Sequence, residues 1–294
     1  MTRFYEQRKK LRDLISRSGL MLPGAFNAIT AKLVERAGFQ GMYISGAGLA
    51  NGQGFPDIGL LSLTEVITLS KYIVDAVTIP CIADGDTGFG EVVNVTRAIK
   101  EFESIGVAGI HIEDQILPKR CGHLSGKELI STEAMCKKIK AATFARHDEN
   151  FLIIARTDSR DIEGLDKAIE RSKAYVKAGA DAIFIEALES KDEFKKFAKT
   201  MSVPLLANMT EFGKSELIDF SELSSLGYKM VIYPMTAFRV MMKATEDAYK
   251  ELFKKGTQKN FIDRMQTRKE LYDVLEYDRY AELDKKVSGY KKDL

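Results

Sequence analysis

Cys121 and His123 stand two residues apart in "PKRCGHLSGKEL" (118–129), directly after Lys119 and Arg120, in a chain with only three Cys and three His. A Cys-x-His pair without a second such pair makes a poor zinc site: Cys81 falls in an apolar run and Cys136 on a helical stretch. The flanking Lys119, Arg120 and His123 point instead to a stabilised thiolate, hence to a thiol that can give up a proton or act as a nucleophile. Lone cysteines are usually inert packing residues among apolar neighbours, whereas this one lies in a basic, glycine-containing loop. Lys127 and Glu128, at the far end of the loop, read as ordinary surface charges.

Acids form a second set. In "ADGDTGFG" (83–90) Asp84 and Asp86 share one short loop, and Glu113 ends the next apolar run. Such an oxygen-rich setting suits a hard divalent cation, since Mg²⁺ keeps several waters and takes few carboxylates. An Asp-Gly turn is the simpler reading of the same string. Polar residues end the other runs as well: Ser45, Asp114 beside Glu113, Arg156 with Asp158, Glu186, and Asn208 with Thr210. "YISGAGLANGQGFPD" (43–57) begins like a dinucleotide fingerprint, but that motif must open into a helix, and Gly52, Gly54 and Pro56 break one within two turns. A glycine-rich loop whose N–H groups approach a carboxylate fits better. These residues together predict a metal-assisted enzyme with a reactive cysteine and an anionic substrate, either a polycarboxylate or a phosphate.

The elements that must position them alternate. A helix end, a glycine and an apolar strand recur at "RAGFQGMYIS", "SIGVAGIHIED", "KAGADAIFIEA" and "SLGYKMVIYP", which makes Gly38, Gly106, Gly179 and Gly227 helix-ending glycines. Between them fall "TIPCIADGD", "ENFLIIARTD" and "SVPLLANMT", and "GLMLPGAF" (19–26) brings the strand-like runs to eight. Continuous apolar runs suit strands buried on both faces, and eight strand–helix repeats predict a closed (β/α)8 TIM-type barrel, with a doubly wound open sheet as the alternative. Residues 1–294 read as a single barrel domain, with about 240–294 a helical C-terminal extension of it.

Composition excludes several classes. The 44 Lys and Arg against 42 Asp and Glu leave a net charge of +2, which argues against a nucleic-acid binder. Three widely spaced cysteines make no disulfide framework, so a reducing cytoplasm is expected. The N-terminal stretch lacks a signal peptide's apolar core, and no run reaches the roughly 18 apolar residues of a membrane span.

"KRCGH" (119–123) resembles the catalytic signature of the isocitrate lyase and phosphoenolpyruvate mutase superfamily. That superfamily also shows counterparts of "SGAG", "DGDTGFG", "HIEDQ", "ARTD", "EA" and "NMTEFG" in this order, across most of residues 40–215. "TAFR" (236–239) and "GTQKNFIDRMQTRKELYD" (256–273) look like the C-terminal region of the branch that acts on 2-methylisocitrate. Isocitrate lyases proper are much longer, and mutases and oxaloacetate-acting relatives generally lack the Lys-Arg-Cys-Gly-His string. The resemblance implies a (β/α)8 barrel, a homotetramer with an exchanged C-terminal helix, and Mg²⁺ with Mn²⁺ as an alternative. It implies cleavage of a small tricarboxylate, 2-methylisocitrate, to pyruvate and succinate in the methylcitrate cycle of propionate breakdown.

Carried onto this chain, the resemblance makes Cys121 the general acid, with Lys119, Arg120, His123 and Tyr43 as catalytic neighbours. Asp84, Asp86 and Glu113 would hold the metal and Asp57 would support it from behind. Ser45, Gly46, Ala47, Cys121, Gly122, Arg156, Glu186, Asn208, Met209, Thr210, Arg239 and Arg268 would bind substrate. Ala47 stands where relatives commonly have glycine, a neutral change if only its N–H is used. Tyr43, Glu113 and metal-assisted ionisation are the options for the base, and Phe184, Leu205 and Tyr233 for the residue that reads the substrate methyl. Isocitrate cleavage, oxaloacetate decarboxylation and a non-catalytic ligand-binding barrel are the competing functions.

Overall fold

The structure is a computed structural model that describes residues 3–289. Eight parallel strands close on one another in chain order: β1 (Leu20–Ala25), β2 (Met42–Ile44), β3 (Cys81–Asp84), β4 (Gly109–Glu113), β5 (Leu152–Thr157), β6 (Ala182–Ile185), β7 (Leu205–Asn208) and β8 (Tyr228–Tyr233), with β8 pairing back to β1. The open-sheet alternative is thereby excluded. Helices separate the strands, and Gly38, Gly106, Gly179 and Gly227 take positive φ (92°, 93°, 112° and 106°) where each helix gives way to the next strand. A residue with a Cβ would be strained in that conformation.

Strand parity sorts the side chains into two cores. Tyr43, Ile82, Leu152, Ile154, Phe184, Leu206, Met230 and Ile232 pack together inside the barrel. Their sequence neighbours, among them Ile44, Ala83, Ile153, Ile183 and Leu205, pack outward beneath the helices. This is the period of two that a strand imposes. Leu11 and Ile15, from the helix Arg3–Arg17, join the inner core beside Leu20, Leu152 and Ala182, the first residues of their strands. That helix therefore plugs the end where the strands begin. Burying each such side chain contributes about 1.5–3 kcal/mol. The opposite end, where the strands finish, is left to polar groups.

Residue contacts divide the chain into two compact units, Met1–Phe238 and Arg239–Leu294. The second comprises most of the helix Thr236–Lys255, a 3₁₀ turn at Lys259–Arg264, and the helices Arg268–Leu275 and Tyr277–Ser288. Tyr272 stacks on Tyr277 at 4.8 Å, while Tyr249, Phe253, Ile262 and Leu283 are exposed. Among the described residues, no helix is long and apolar enough to cross a membrane.

Candidate active site

Inward parity brings Asp84, Glu113, Arg156, Glu186 and Asn208 together at the finishing end of the strands. Arg156 is the hub. Its Nε lies 3.0 Å from Asp158 Oδ2 and 3.2 Å from Glu113 Oε2, and its Nη2 lies 3.1 Å from Asp158 Oδ1 and 3.4 Å from Glu186 Oε2. The guanidinium also sits 4.9 Å over the Phe184 ring. Asn208 Nδ2 donates to both Glu186 oxygens, at 3.3 and 3.2 Å. Burial alone would push Glu186 up, but Arg156 and then His123 outweigh it and hold the carboxyl below its ordinary range.

The Asp84–Gly90 turn is built from unusual backbone. Asp86, Gly88, Phe89 and Gly90 all have positive φ (45°, 86°, 59° and 137°), conformations that persist in non-glycine residues only where the surroundings enforce them. A Cβ on Gly85 would stand 2.7 Å from the His111 carbonyl, and one on Gly46 would stand 2.7 Å from Asp84 Oδ2. Lys119, on the Cys121 loop, pairs with Asp57 and lies 2.9 Å from Asp86. Burial opposes its charge, yet Asp86, Asp57 and Glu113 raise it well above the ordinary lysine value.

Asp84 is held low in the same way, burial being outweighed by His111, Lys119 and Arg156. Glu113 goes the other way. Burial pushes it well above the ordinary carboxyl range despite Arg156 and Lys119. It is 1% exposed, and no group donates a hydrogen bond to either oxygen. Among the described residues, no three His, Cys, Asp or Glu side chains already surround one point. The donor set Asp84, Asp86 and Glu113 nevertheless fits a hard cation bound partly through water: it is all oxygen, and Glu113 lacks the donors that a buried carboxylate otherwise needs.

The Cys121 loop corrects the expectation of a stabilised thiolate. Burial pushes the thiol up, the His123 N–H only partly offsets this, and Asp57 and Glu186 add to it. The neighbouring basic side chains are already engaged. Lys119 faces Asp57 and Asp86. The exposed Arg120 reaches the Ser125 carbonyl at 3.3 Å. His123 Nδ1 accepts the Lys214 N–H at 2.9 Å, which leaves the ring proton on Nε2, 2.7 Å from Glu186 Oε1. Cys121 is thus half-buried, in surroundings that favour the thiol over the thiolate. A Cβ on Gly122 would stand 2.3 Å from Glu186 Cγ and 2.5 Å from Arg156 Nη2, so only glycine lets the loop come down on the cluster. Lys127 is corrected as well: it is buried, not a surface charge, and donates to the Gly122 carbonyl.

Other expected residues divide. Ser45 directly follows β2 and caps a helix, Gly46–Gly52, accepting the Gly48 N–H at 3.1 Å. "SGAG" thus opens a two-turn helix where a loop was expected, because the serine cap and the later breakers permit two turns and no more. Gly46 and Ala47 are its first residues. Thr210 is buried near Asn208 in sequence. The Met209 side chain instead packs in the outer core and accepts the Ile218 N–H, so it does not line the mouth. Parity also turns Asp114 outward. Leu205 faces outward and Tyr233 packs against the outer core, which leaves Phe184 alone of the three methyl-reading options inside the barrel. Arg239 and Arg268 belong to the second unit, on Thr236–Lys255 and Arg268–Leu275.

Tyr43 donates to Asp84 Oδ2 at 3.1 Å and meets His111 Nε2 at 2.8 Å. Burial, then Asp84, push its hydroxyl well up, which opposes a tyrosinate base. His111 was not anticipated. Burial lowers it to about 4, so the ring is neutral at pH 7, stacked on Tyr43 and edge-on to Phe184. Its position two residues before Glu113, hence on the same strand face, was the available signal.

The profile of the family described as phosphoenolpyruvate phosphomutase matches residues 11–253. The chain is 49% identical over 285 residues to the 2-methylisocitrate lyase of Aeropyrum pernix, an alignment that covers 97% of this chain and 92% of that one. Among solved structures it resembles 2,3-dimethylmalate lyase, a PEP mutase/isocitrate lyase superfamily member, with a TM-score of 0.90, 32% identity, and 98% and 96% of the two chains covered. It also resembles phosphonopyruvate hydrolase in complex with oxalate and Mg²⁺, with a TM-score of 0.86, 30% identity, and 97% and 98% covered.

Proposed function

The chain belongs to the phosphoenolpyruvate mutase/isocitrate lyase superfamily, and from that premise we propose that its barrel mouth cleaves 2-methylisocitrate to pyruvate and succinate. The observation that carries this reading is geometric: the residue after Cys121 is a glycine seated so close to the cluster that a Cβ there would stand 2.5 Å from Arg156 Nη2 and 2.3 Å from Glu186 Cγ. Arg156 offers its guanidinium to a substrate carboxylate and to the oxygen that becomes the pyruvate carbonyl. The free N–H groups of Gly46 and Ala47, at a helix start, suit the second oxygen of that carboxylate. The substrate hydroxyl passes its proton to the Glu113 carboxylate or, where a bound cation would favour ionisation, to solvent; the C–C bond then breaks and its electron pair passes to the succinate half. Cys121 Sγ–H delivers the proton that quenches this carbanion. Tyr43 donates to Asp84 Oδ2 and is itself met by His111 Nε2, which orients that carboxylate. A divalent cation, Mg²⁺ or Mn²⁺, at Asp84, Asp86 and Glu113 would supply Lewis-acid stabilisation of the developing oxyanion.

Product analysis tests the reading. Purified protein with 2-methylisocitrate and Mg²⁺ is expected to release pyruvate and succinate in equal amounts, and excess EDTA to abolish release. Absence of pyruvate under saturating Mg²⁺ would overturn it. Isocitrate, which lacks one methyl, is expected to be cleaved to glyoxylate more slowly, since a methyl in an apolar pocket contributes only about 1–3 kcal/mol. The place proposed for the reaction is the methylcitrate cycle of propionate breakdown, in the cytoplasm. The exposed Tyr249, Phe253 and Leu283 of the second unit support assembly into a homotetramer through the C-terminal helices.

A further inference from the structure

Two side chains from opposite arms of the Cys121 loop grip its backbone on either side of the thiol. On one side the buried Gln115 amide makes a matched pair of bonds with Arg120: the Arg120 N–H donates to Oε1 at 2.9 Å, and Nε2 donates to the Arg120 carbonyl at 2.9 Å. On the other side Lys127 Nζ donates to the Gly122 carbonyl. The arms meet where the Ile116 N–H donates to the Glu128 carbonyl at 2.8 Å and Gln115 bridges Leu129.

The Lys127 side chain is fully buried, 3.7 Å from Asp158 Oδ1 and 3.5 Å from Asp161 Oδ2. Stripping water from an ammonium is costly unless acceptors and anions replace it. Here both anions come from residues just after β5, not from the loop itself. Lys127 therefore ties the loop to the segment that carries Arg156. Asp158 is shared: the carboxylate that meets Lys127 also takes Arg156 Nε and Nη2 at 3.0 and 3.1 Å.

We propose that Gln115 and Lys127 are positioning residues that hold Cys121 over the barrel mouth, and that Lys127 couples the seated loop to the orientation of Arg156 through Asp158. This rests on Cys121 being the proton donor. Neither residue touches the reacting atoms, so their loss lowers kcat more than it raises KM.

The test is iodoacetamide alkylation of the full-length protein, followed cysteine by cysteine by peptide mass spectrometry, in wild type, Lys127→Met and Gln115→Met, alongside kcat and KM. Cys121 is expected to react about tenfold or more faster in Lys127→Met, the effect of losing a charge-assisted bond that closes a local opening. Cys81, buried in β3, and Cys136, on the helix Thr132–Ala145, are expected to keep their wild-type rates. Should Lys127→Met fail to fold, Gln115→Met and Lys127→Gln carry the same measurement. Unchanged Cys121 alkylation in the folded variants overturns the proposal. So does a parallel rise at Cys81 and Cys136, which marks general loosening. Alkylation needs no substrate, so a wild type without lyase activity would sink the functional reading and leave the grip on Cys121 separately measurable.

Discussion

Glu113 and Asp114 are adjacent acids, 1% and 0% exposed, yet they live in opposite chemical worlds. Asp114 faces outward under the helices. It accepts the Thr157 hydroxyl and the Tyr175 hydroxyl, each at 2.7 Å, and the Asp158 N–H at 3.0 Å, with Arg171 3.6 Å away. Glu113 faces the barrel mouth and receives no hydrogen bond at all. Burial pushes both carboxyls up; around Asp114 the donors partly offset it, and around Glu113 only Arg156 and Lys119 do. A satisfied buried acid secures a fold, whereas an unsatisfied one keeps a site ready for something that arrives later.

Substitutions at the two faces should separate activity from stability. On the mouth side, Cys121→Ser is expected to lower kcat by about 10²–10⁴-fold, the usual worth of a placed general acid, while substrate still binds by calorimetry. Turnover within a few-fold of wild type would remove the thiol from the mechanism. On the outer face, Asp114→Ala strands three donors and is expected to cost about 3–5 kcal/mol in urea unfolding. Glu113→Gln breaks no hydrogen bond and gives up only the 3.2 Å ion pair with Arg156 while relieving the burial of a carboxylate, so it should unfold at or above the wild-type urea concentration while losing activity. If Glu113→Gln proves the more destabilising of the two, the contrast fails.

The smallest effect is a slope. Glu113 is raised above its ordinary value of 4.5, so the folded chain binds this proton more tightly than the unfolded chain does. Its contribution therefore favours folding at low pH and is lost as pH rises from about 4.5 through the folded value. Metal-free Glu113→Gln, compared with metal-free wild type, is expected to lose that part of the decline. Parallel stability–pH curves would show that Glu113 does not titrate in this way.

Much of this was legible in the linear chain. Eight apolar runs ending in polar residues specify the barrel and the end that carries chemistry, and the period of two already places His111, Glu113 and Arg156 on inner faces. Parity applied residue by residue would also have moved Asp114 and Met209 outward. Lys127 was beyond reach, because nothing in "SGKEL" distinguishes a lysine that turns into the protein from one that points to water. The helix at Gly46–Gly52 is hidden in the sequence because glycine's low helix propensity masks the serine cap and the tertiary packing that override it.

Strand alternation is a local property of the backbone, so the order of the residues already turns Asp84, Glu113, Arg156, Glu186 and Asn208 to the inner face. The surroundings of Cys121 are set by the fold. A lysine, an arginine and a histidine beside a thiol suggest a thiolate only while their partners are unknown. Those partners come from far along the chain: Asp57 lies 62 residues from Lys119, and Lys214 lies 91 from His123. Electrostatic energy depends on distance through space and on the loss of water around the charge, and neither quantity is written in the order of the residues.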